Sequence, residues 1–89
     1  MLRFMIEKEV IVQSEKGLRA RPVSKLIKKA MAFQSKIDIT YNDKKADAKS
    51  LINVLALKVP NGAKINISAS GDDEALALDE LVKIVASLE

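Results

Sequence analysis

The chain has 89 residues, 48% hydrophobic and 30% charged, as is typical of one small globular domain, so we expect a single domain over residues 1–89. It contains neither histidine nor cysteine, which excludes chemistry through an imidazole or a thiol, disulfide bonds and thiolate metal sites. No apolar run is long enough to cross a bilayer, and no signal peptide is recognisable. We therefore expect a cytoplasmic protein without membrane contact.

The net charge of +3 is unevenly distributed along the chain. Residues 1–49 contain 12 Lys and Arg and 6 Asp and Glu, a net charge of +6, whereas residues 50–89 contain 3 and 6, a net charge of −3. The N-terminal half can therefore attract an anionic partner. The simpler alternative is that lysines such as Lys28, Lys29, Lys44 and Lys45 only keep the surface soluble.

The hydrophobic pattern of the first half predicts four elements. Residues 5–12 are rich in Ile and Val and predict a strand. Residues 20–33 carry one apolar stripe at helical spacing and predict a helix, with Pro22 tolerated in its first turn. Residues 37–41 alternate between apolar and polar and predict a strand with one buried face. After the turn signal Asn42-Asp43, residues 44–48 should return as a short strand.

Three more elements are predicted in the second half. Ser50 is a preferred N-cap for a short helix over 51–57. Residues 65–69 alternate and predict the last strand, and the stripe at Leu78, Leu81, Val82 and Val85 predicts the last helix. The order β-α-β-β-α-β-α predicts an α+β fold, an open-faced two-layer sandwich in which a four-stranded antiparallel sheet is covered on one face by three helices.

The first candidate site is the segment Gly17-Leu18-Arg19-Ala20-Arg21-Pro22, where a loop enters a helix. Free N–H groups at a helix start attract anions, and Arg19 and Arg21 can add fixed positive charge and forked donors. A phosphate or carboxylate site is therefore physically reasonable. Composition and spacing alone favour the simpler alternative of two exposed arginines beside a helix start.

The second candidate site is the segment that begins at Ser50. A short helix cannot bury all of its apolar residues, so Leu51, Ile52 and Leu55 can form a docking patch. A phosphate on Ser50 would meet free N–H groups and a favourable helix dipole. The alternative is that Ser50 only caps the helix and that the leucines belong to the core. The sequence pattern alone favours this alternative.

The acidic run Asp72-Asp73-Glu74 is the only segment that suggests a metal site. Consecutive acids at a helix start usually serve as caps and complement the helix dipole, so we expect no metal site and no cofactor. The sequence shows no catalytic triad, carboxylate pair or glycine-rich phosphate loop. We therefore expect that the protein is not an enzyme.

Taken together, these segments resemble the HPr family, small phosphocarrier proteins of the phosphoenolpyruvate-dependent sugar phosphotransferase system. The segment 17–22 resembles the family's active-site motif Gly-Ile/Leu-His-Ala-Arg-Pro, and Lys49-Ser50-Leu51-Ile52 resembles its regulatory serine motif. The segment 65–74 is similar to the family's last strand and the start of its final helix. The resemblance covers nearly the whole chain and implies the same fold.

The resemblance fails at the residue that carries phosphate. Arg19 occupies the position of the family's phosphate-accepting histidine, and Lys16 occupies a loop position that often holds Ser or Thr. A guanidinium stays protonated and offers no lone pair for attack on phosphorus. We therefore expect Lys16, Arg19 and Arg21 to bind an anion without passing a phosphoryl group on.

The other motif positions imply a regulatory or binding module, similar to the family's catabolite-repression paralogue, which also lacks the histidine. Ser50 matches the serine that a regulatory kinase phosphorylates, and Leu51, Ile52 and Leu55 match the family's docking patch. The implied partners are phosphotransferase-system enzymes, an HPr kinase or a transcriptional regulator.

Two alternatives stay open: a phosphocarrier with another acceptor, and a basic surface that binds an anion or nucleic acid. Direct nucleic-acid binding is disfavoured because interleaved aromatic residues are missing. The pattern is compatible with a monomer or a dimer.

Overall fold

A computed structural model describes residues 5–13 and 20–86. It contains seven elements in the predicted order: β1 (Ile6–Ile11), α1 (Ala20–Ala30), β2 (Lys36–Tyr41), β3 (Lys44–Asp47), α2 (Leu51–Ala56), β4 (Lys64–Ser70) and α3 (Glu74–Ala86). The order β-α-β-β-α-β-α is thereby confirmed.

The four strands form one antiparallel sheet in the order β1-β4-β2-β3. In the two central strands β4 and β2, Ile67 lies opposite Ile39 and Ala69 lies opposite Ile37. These side chains are buried and alternate with polar ones such as Thr40 and Asn66, as a sheet with one covered face requires. The predicted open-faced two-layer α+β sandwich is therefore confirmed.

The core between the sheet and the helices is aliphatic. Leu26 of α1, Val54 of α2 and Leu81 of α3 are all fully buried, and each contributes to a cluster that includes Ile39 and Ile67 of the sheet. Complete burial of such a side chain stabilises the fold by roughly 1.5–3 kcal/mol relative to exposure. One apolar residue from every helix thus fixes the helical layer onto the sheet.

Helix α1 ends at Ala30, three residues before the predicted end at Phe33. The N–H groups of Ala32 and Phe33 donate to the carbonyls of Lys29 and Ala30, a tighter pattern that closes the last turn. The ammonium of Lys49 then donates to the carbonyl of Phe33 at 2.8 Å. These hydrogen bonds differ from those of a continuing α-helix, so the helix ends at Ala30. Hydrophobic periodicity alone does not predict this end.

The connection between α1 and β2 is attached to the start of α3 by Asp73. Its carboxylate accepts the backbone N–H of Gln34 and the N–H of Ser35, each at 2.9 Å, and also the hydroxyl of Ser35. These hydrogen bonds lower the pKa of Asp73, the Ser35 hydroxyl most strongly and the Gln34 N–H next. The backbone carbonyl of Asp73 also accepts the N–H of Ala77 at 2.9 Å, so the acidic run begins the helix as expected.

Within residues 5–13 and 20–86, no helix is both long and apolar enough to span a membrane. The same residues contain no group of three or more acidic side chains arranged to hold a metal ion.

Candidate functional site

The residues predicted to bind an anion are Lys16, Arg19 and Arg21. Lys16 and Arg19 belong to residues 14–19 and lie outside the described residues. The backbone of Arg21 lies in the first turn of α1, but its side chain is not among the parts of the chain that the structure describes. The geometry of this segment therefore stays a prediction.

Ser50 lies immediately before α2, in an extended conformation with φ −117° and ψ 110°. Its hydroxyl oxygen accepts the N–H of Asn53 at 3.4 Å, a long hydrogen bond, and its carbonyl accepts the N–H of Val54 at 3.1 Å. Ser50 is therefore the N-cap of this helix and is only half-buried.

Contacts of Asp47 and Lys49 hold Ser50 in place. The N–H of Ser50 donates to the carbonyl of Asp47 at 3.0 Å. A carboxylate oxygen of Asp47 accepts the N–H of Lys49 at 2.9 Å, and the Lys49 ammonium contacts the carbonyl of Phe33. The turn between β3 and α2 is consequently tied to the end of α1.

The apolar residues of α2 divide between the core and the surface. Val54 is fully buried, whereas Ile52 is 78% exposed and Leu51 is 37% exposed. Leu55 is partly buried and packs against the core. A six-residue helix can direct only part of its surface inward, so the remaining apolar side chains stay in solvent.

Leu51 adjoins a shallow groove between α1 and α2, of about 470 Å³. It is lined by Ser24, Lys25, Ile27, Lys28, Met31 and Leu51. Met31 is 65% exposed and enlarges the apolar surface. Met31 is not among the predicted docking residues, although it lies four residues after Ile27 and therefore on the same side of the helix.

The surface around this groove is basic. Helix α1 contains no acidic residue, and Lys25 and Lys28 form no ion pair with any residue that the structure describes. In α3, by contrast, Asp79 lies 3.1 Å from the Lys83 ammonium and raises the pKa of Lys83 through a hydrogen bond and its charge. Lysines that have no ion-pair partner among residues 5–13 and 20–86, beside exposed apolar side chains, favour a partner that is both apolar and acidic.

Comparison with known proteins identifies the family. A family model described as "PTS HPr component phosphorylation site" matches residues 6–87. The phosphocarrier protein HPr of Haemophilus influenzae is 39% identical over 85 residues, which cover 96% of this chain and all of that protein. The HPr of Borreliella burgdorferi is 36% identical over 85 residues, covering 96% of this chain and 99% of that protein.

Solved structures agree with the sequence comparison. The crystal structure of HPr from Bacillus anthracis superposes with a TM-score of 0.89 at 33% identity and covers 91% of this chain and 96% of its own. The solution structure of Crh, the catabolite repression HPr of Bacillus subtilis, superposes with a TM-score of 0.71 at 31% identity, covering 94% of this chain and all of its own. The chain belongs to the HPr family of phosphocarrier proteins of the phosphotransferase system.

Proposed function

We propose that this protein is a single HPr-like domain that acts as a regulatory or binding module and carries no phosphohistidine. The observation that carries the proposal is that the chain contains no histidine. Phosphohistidine forms because a neutral imidazole nitrogen is nucleophilic near pH 7, and no other side chain here offers that chemistry.

The motif Gly17-Leu18-Arg19-Ala20-Arg21-Pro22 supports Arg19 as the residue in the acceptor position. A guanidinium has five N–H donors and no acceptor, and it stays charged at every physiological pH. Together with Lys16 and Arg21 it would hold a phosphate or carboxylate by charge and by forked hydrogen bonds. This end of the molecule would bind an anion without forming a covalent bond to phosphorus.

The exposed apolar side chains of α2 support the docking role. Ile52 and Leu51 are exposed, and Leu51 lines the groove to which Met31 also contributes, while buried Val54 anchors the helix. Leu55 would add its partly exposed side. The partner would be an enzyme of the phosphotransferase system, an HPr kinase or a transcriptional regulator, and the likeness to Crh supports the regulatory class.

Phosphorylation of Ser50 would regulate this docking. The hydroxyl is only half-buried, its hydrogen bond to Asn53 is long, and the docking residue Leu51 follows directly. A phosphate would add about −1.5 to −2 charges to a surface rich in lysine and would change its attraction for an acidic partner.

Intact-mass measurement after incubation with an HPr kinase and ATP tests the regulatory serine. We expect one phosphate on the wild type and none on Ser50→Ala, with Ser24→Ala as the matched control that stays labelled. No mass gain on the wild type, or an equal gain on Ser50→Ala, would contradict the assignment.

The competing function, phosphoryl carriage through another acceptor, has its own test. We expect no acid-labile phosphate after incubation with phosphoenolpyruvate and the first enzyme of the phosphotransferase system. Arg19→His is the matched variant and should gain a labile phosphate. Labelling of the wild type would establish the competing function.

A further inference from the structure

The face of the sheet that points away from the helices brings two carboxylates together. Asp38 of β2 lies directly opposite Asp47 of β3. The neighbouring N–H of Ala48 donates to the carbonyl of Ile37 at 2.9 Å, so Asp38 and Asp47 form a pair without backbone hydrogen bonds to each other. In such a pair the Cα atoms approach to about 4.5 Å and both side chains lie on the same face of the sheet.

Asp38 is a carboxylate that the fold buries without a partner. Only 8% of its surface is exposed. It forms no hydrogen bond or ion pair with any of residues 5–13 and 20–86. An ionised group that loses its water costs free energy unless an opposite charge compensates it. The position of Asp38 therefore favours a cation beside it.

Both carboxylates can be reached from the surface. In the part of the chain that the structure describes, every fully buried side-chain oxygen has a hydrogen-bond partner. The oxygens of Asp38 have none there, so they keep some contact with solvent. Asp47 is exposed, and only one of its carboxylate oxygens accepts a hydrogen bond, from the N–H of Lys49. An ion that approaches this face can therefore contact oxygens of both residues.

The surroundings add a neutral oxygen and two lysines. Ser68 of β4 lies opposite Asp38 on the other side and brings its hydroxyl to the same face. Lys36 and Lys45 also lie on this face, each two positions along its strand from one of the carboxylates. Neither lysine forms an ion pair with Asp38 or Asp47. The two negative charges are thus left uncompensated by the described lysines.

We propose that Asp38 and Asp47 together bind one hydrated divalent cation of the size of Mg²⁺, with the Ser68 hydroxyl beside it. Mg²⁺ prefers oxygen ligands, and in proteins it usually keeps several waters while one or two carboxylates hold it. A largely hydrated ion is the one that fits, because residues 5–13 and 20–86 contain no group of three acidic side chains that could hold a metal ion. The site involves neither Ser50 nor the docking patch, so it is independent of the regulatory function proposed above.

The ion would also stabilise the sheet. Like charges directly opposite each other on neighbouring strands are destabilising, and a cation between them removes this repulsion. A ligand that binds the folded chain and not the unfolded chain raises stability by mass action. We therefore expect Mg²⁺ to raise the unfolding temperature of the wild type more than NaCl does at the same ionic strength. Asp38→Asn should lose this difference.

The direct test uses Mn²⁺ in place of Mg²⁺, because Mn²⁺ is paramagnetic and broadens the NMR signals of nearby amides. We expect Mn²⁺ well below the protein concentration to broaden the amides of Asp38, Asp47 and Ser68 first. Excess Mg²⁺ should restore these signals. Lys45→Gln removes a positive charge from the same face and should bind Mn²⁺ more tightly.

Asp38→Asn and Asp47→Asn are the diagnostic variants, since each removes one negative charge and keeps the size of the side chain. Each should bind Mn²⁺ at least tenfold more weakly than the wild type. Asp47 is exposed, so its variant tests the site at a position where folding is not at stake. Glu9→Gln is the matched control, because Glu9 is an exposed acid on the same face, and it should bind like the wild type.

Three results would each overturn the proposal. One is broadening that is strongest at other exposed acids such as Asp72 and is unchanged in Asp38→Asn, as general attraction of cations to the surface would produce. Another is a loss of binding in Glu9→Gln as large as that in Asp47→Asn. The third is equal stabilisation by Mg²⁺ and by NaCl. None of them affects the phosphorylation test of Ser50, so failure here and failure of the regulatory function can be told apart.

Discussion

The carboxylate of Asp73 accepts both the backbone N–H and the hydroxyl of Ser35, although the two residues are 38 positions apart in the sequence. Ser35 is almost completely buried, with 1% of its surface exposed. The contact joins the turn after α1 to the residue that precedes α3. It fixes the connection between α1 and β2.

The first prediction concerns the acid sensitivity of this contact. The hydrogen bonds lower the pKa of Asp73 in the folded protein, so the unfolded carboxyl, with a pKa of about 3.9, binds its proton first as pH falls. The stabilisation is thus fully present above the unfolded pKa and is lost as pH falls through the folded pKa. Asp73→Asn should lower the urea midpoint at pH 7 and reduce its fall between pH 5 and pH 3.

Asp72→Asn is the control for this experiment, because Asp72 is exposed and adjacent in the sequence. Its urea midpoint should follow that of the wild type through the acid range. If Asp73→Asn and the wild type lose stability in parallel on acidification, the ionised carboxylate does not stabilise the fold through Ser35.

The roles of Asp73 and Ser50 show how far sequence alone reaches. An acidic run before an apolar stripe predicted the start of α3, and the N-cap position of Ser50 predicted α2, because both depend on neighbours within one turn. The Asp73–Ser35 contact depends on how two distant turns meet, so no local pattern could predict it. The groove between α1 and α2 likewise depends on the packing of two helices that are distant in the sequence, and the sequence pattern alone favoured Lys28 as a lysine that only keeps the surface soluble.

A second prediction concerns Gly71, which precedes Asp73 and approaches Ser35 closely. Gly71 has a φ of 155°, and a Cβ atom added to it would lie 2.7 Å from the Ser35 Cα. Gly71→Ala should therefore lower the free energy of unfolding by about 2–3 kcal/mol, measured by urea denaturation. Gly62, with φ 85° and no atom within 4 Å of an added Cβ, is the control. Gly62→Ala should cost about 1 kcal/mol, from backbone strain alone, and an equal loss in both variants would contradict the steric explanation.

A third prediction concerns Lys58, which follows the C-cap Leu57 of α2 with φ 54°. A side chain in this left-handed conformation is strained, whereas glycine is not. Lys58→Gly should raise the free energy of unfolding by about 0.5–1 kcal/mol, after the entropy that glycine adds to the unfolded chain is subtracted. Lys58→Ala keeps the Cβ and removes the charge, so it should show no such gain in thermal denaturation. A similar gain in both variants would assign the effect to the lysine charge.

The last prediction separates docking from folding within α2. Val54 is fully buried and Ile52 is 78% exposed, so truncation of Val54 should affect stability and truncation of Ile52 should affect binding. Val54→Ala should lower the free energy of unfolding by roughly 2 kcal/mol through lost burial and a cavity. Ile52→Ala should leave stability within about 0.5 kcal/mol of the wild type, yet weaken binding of the regulatory partner. Calorimetric titration of each variant at a temperature well below its unfolding midpoint distinguishes the two effects, and a stable Ile52→Ala protein with unchanged affinity would remove Ile52 from the docking surface.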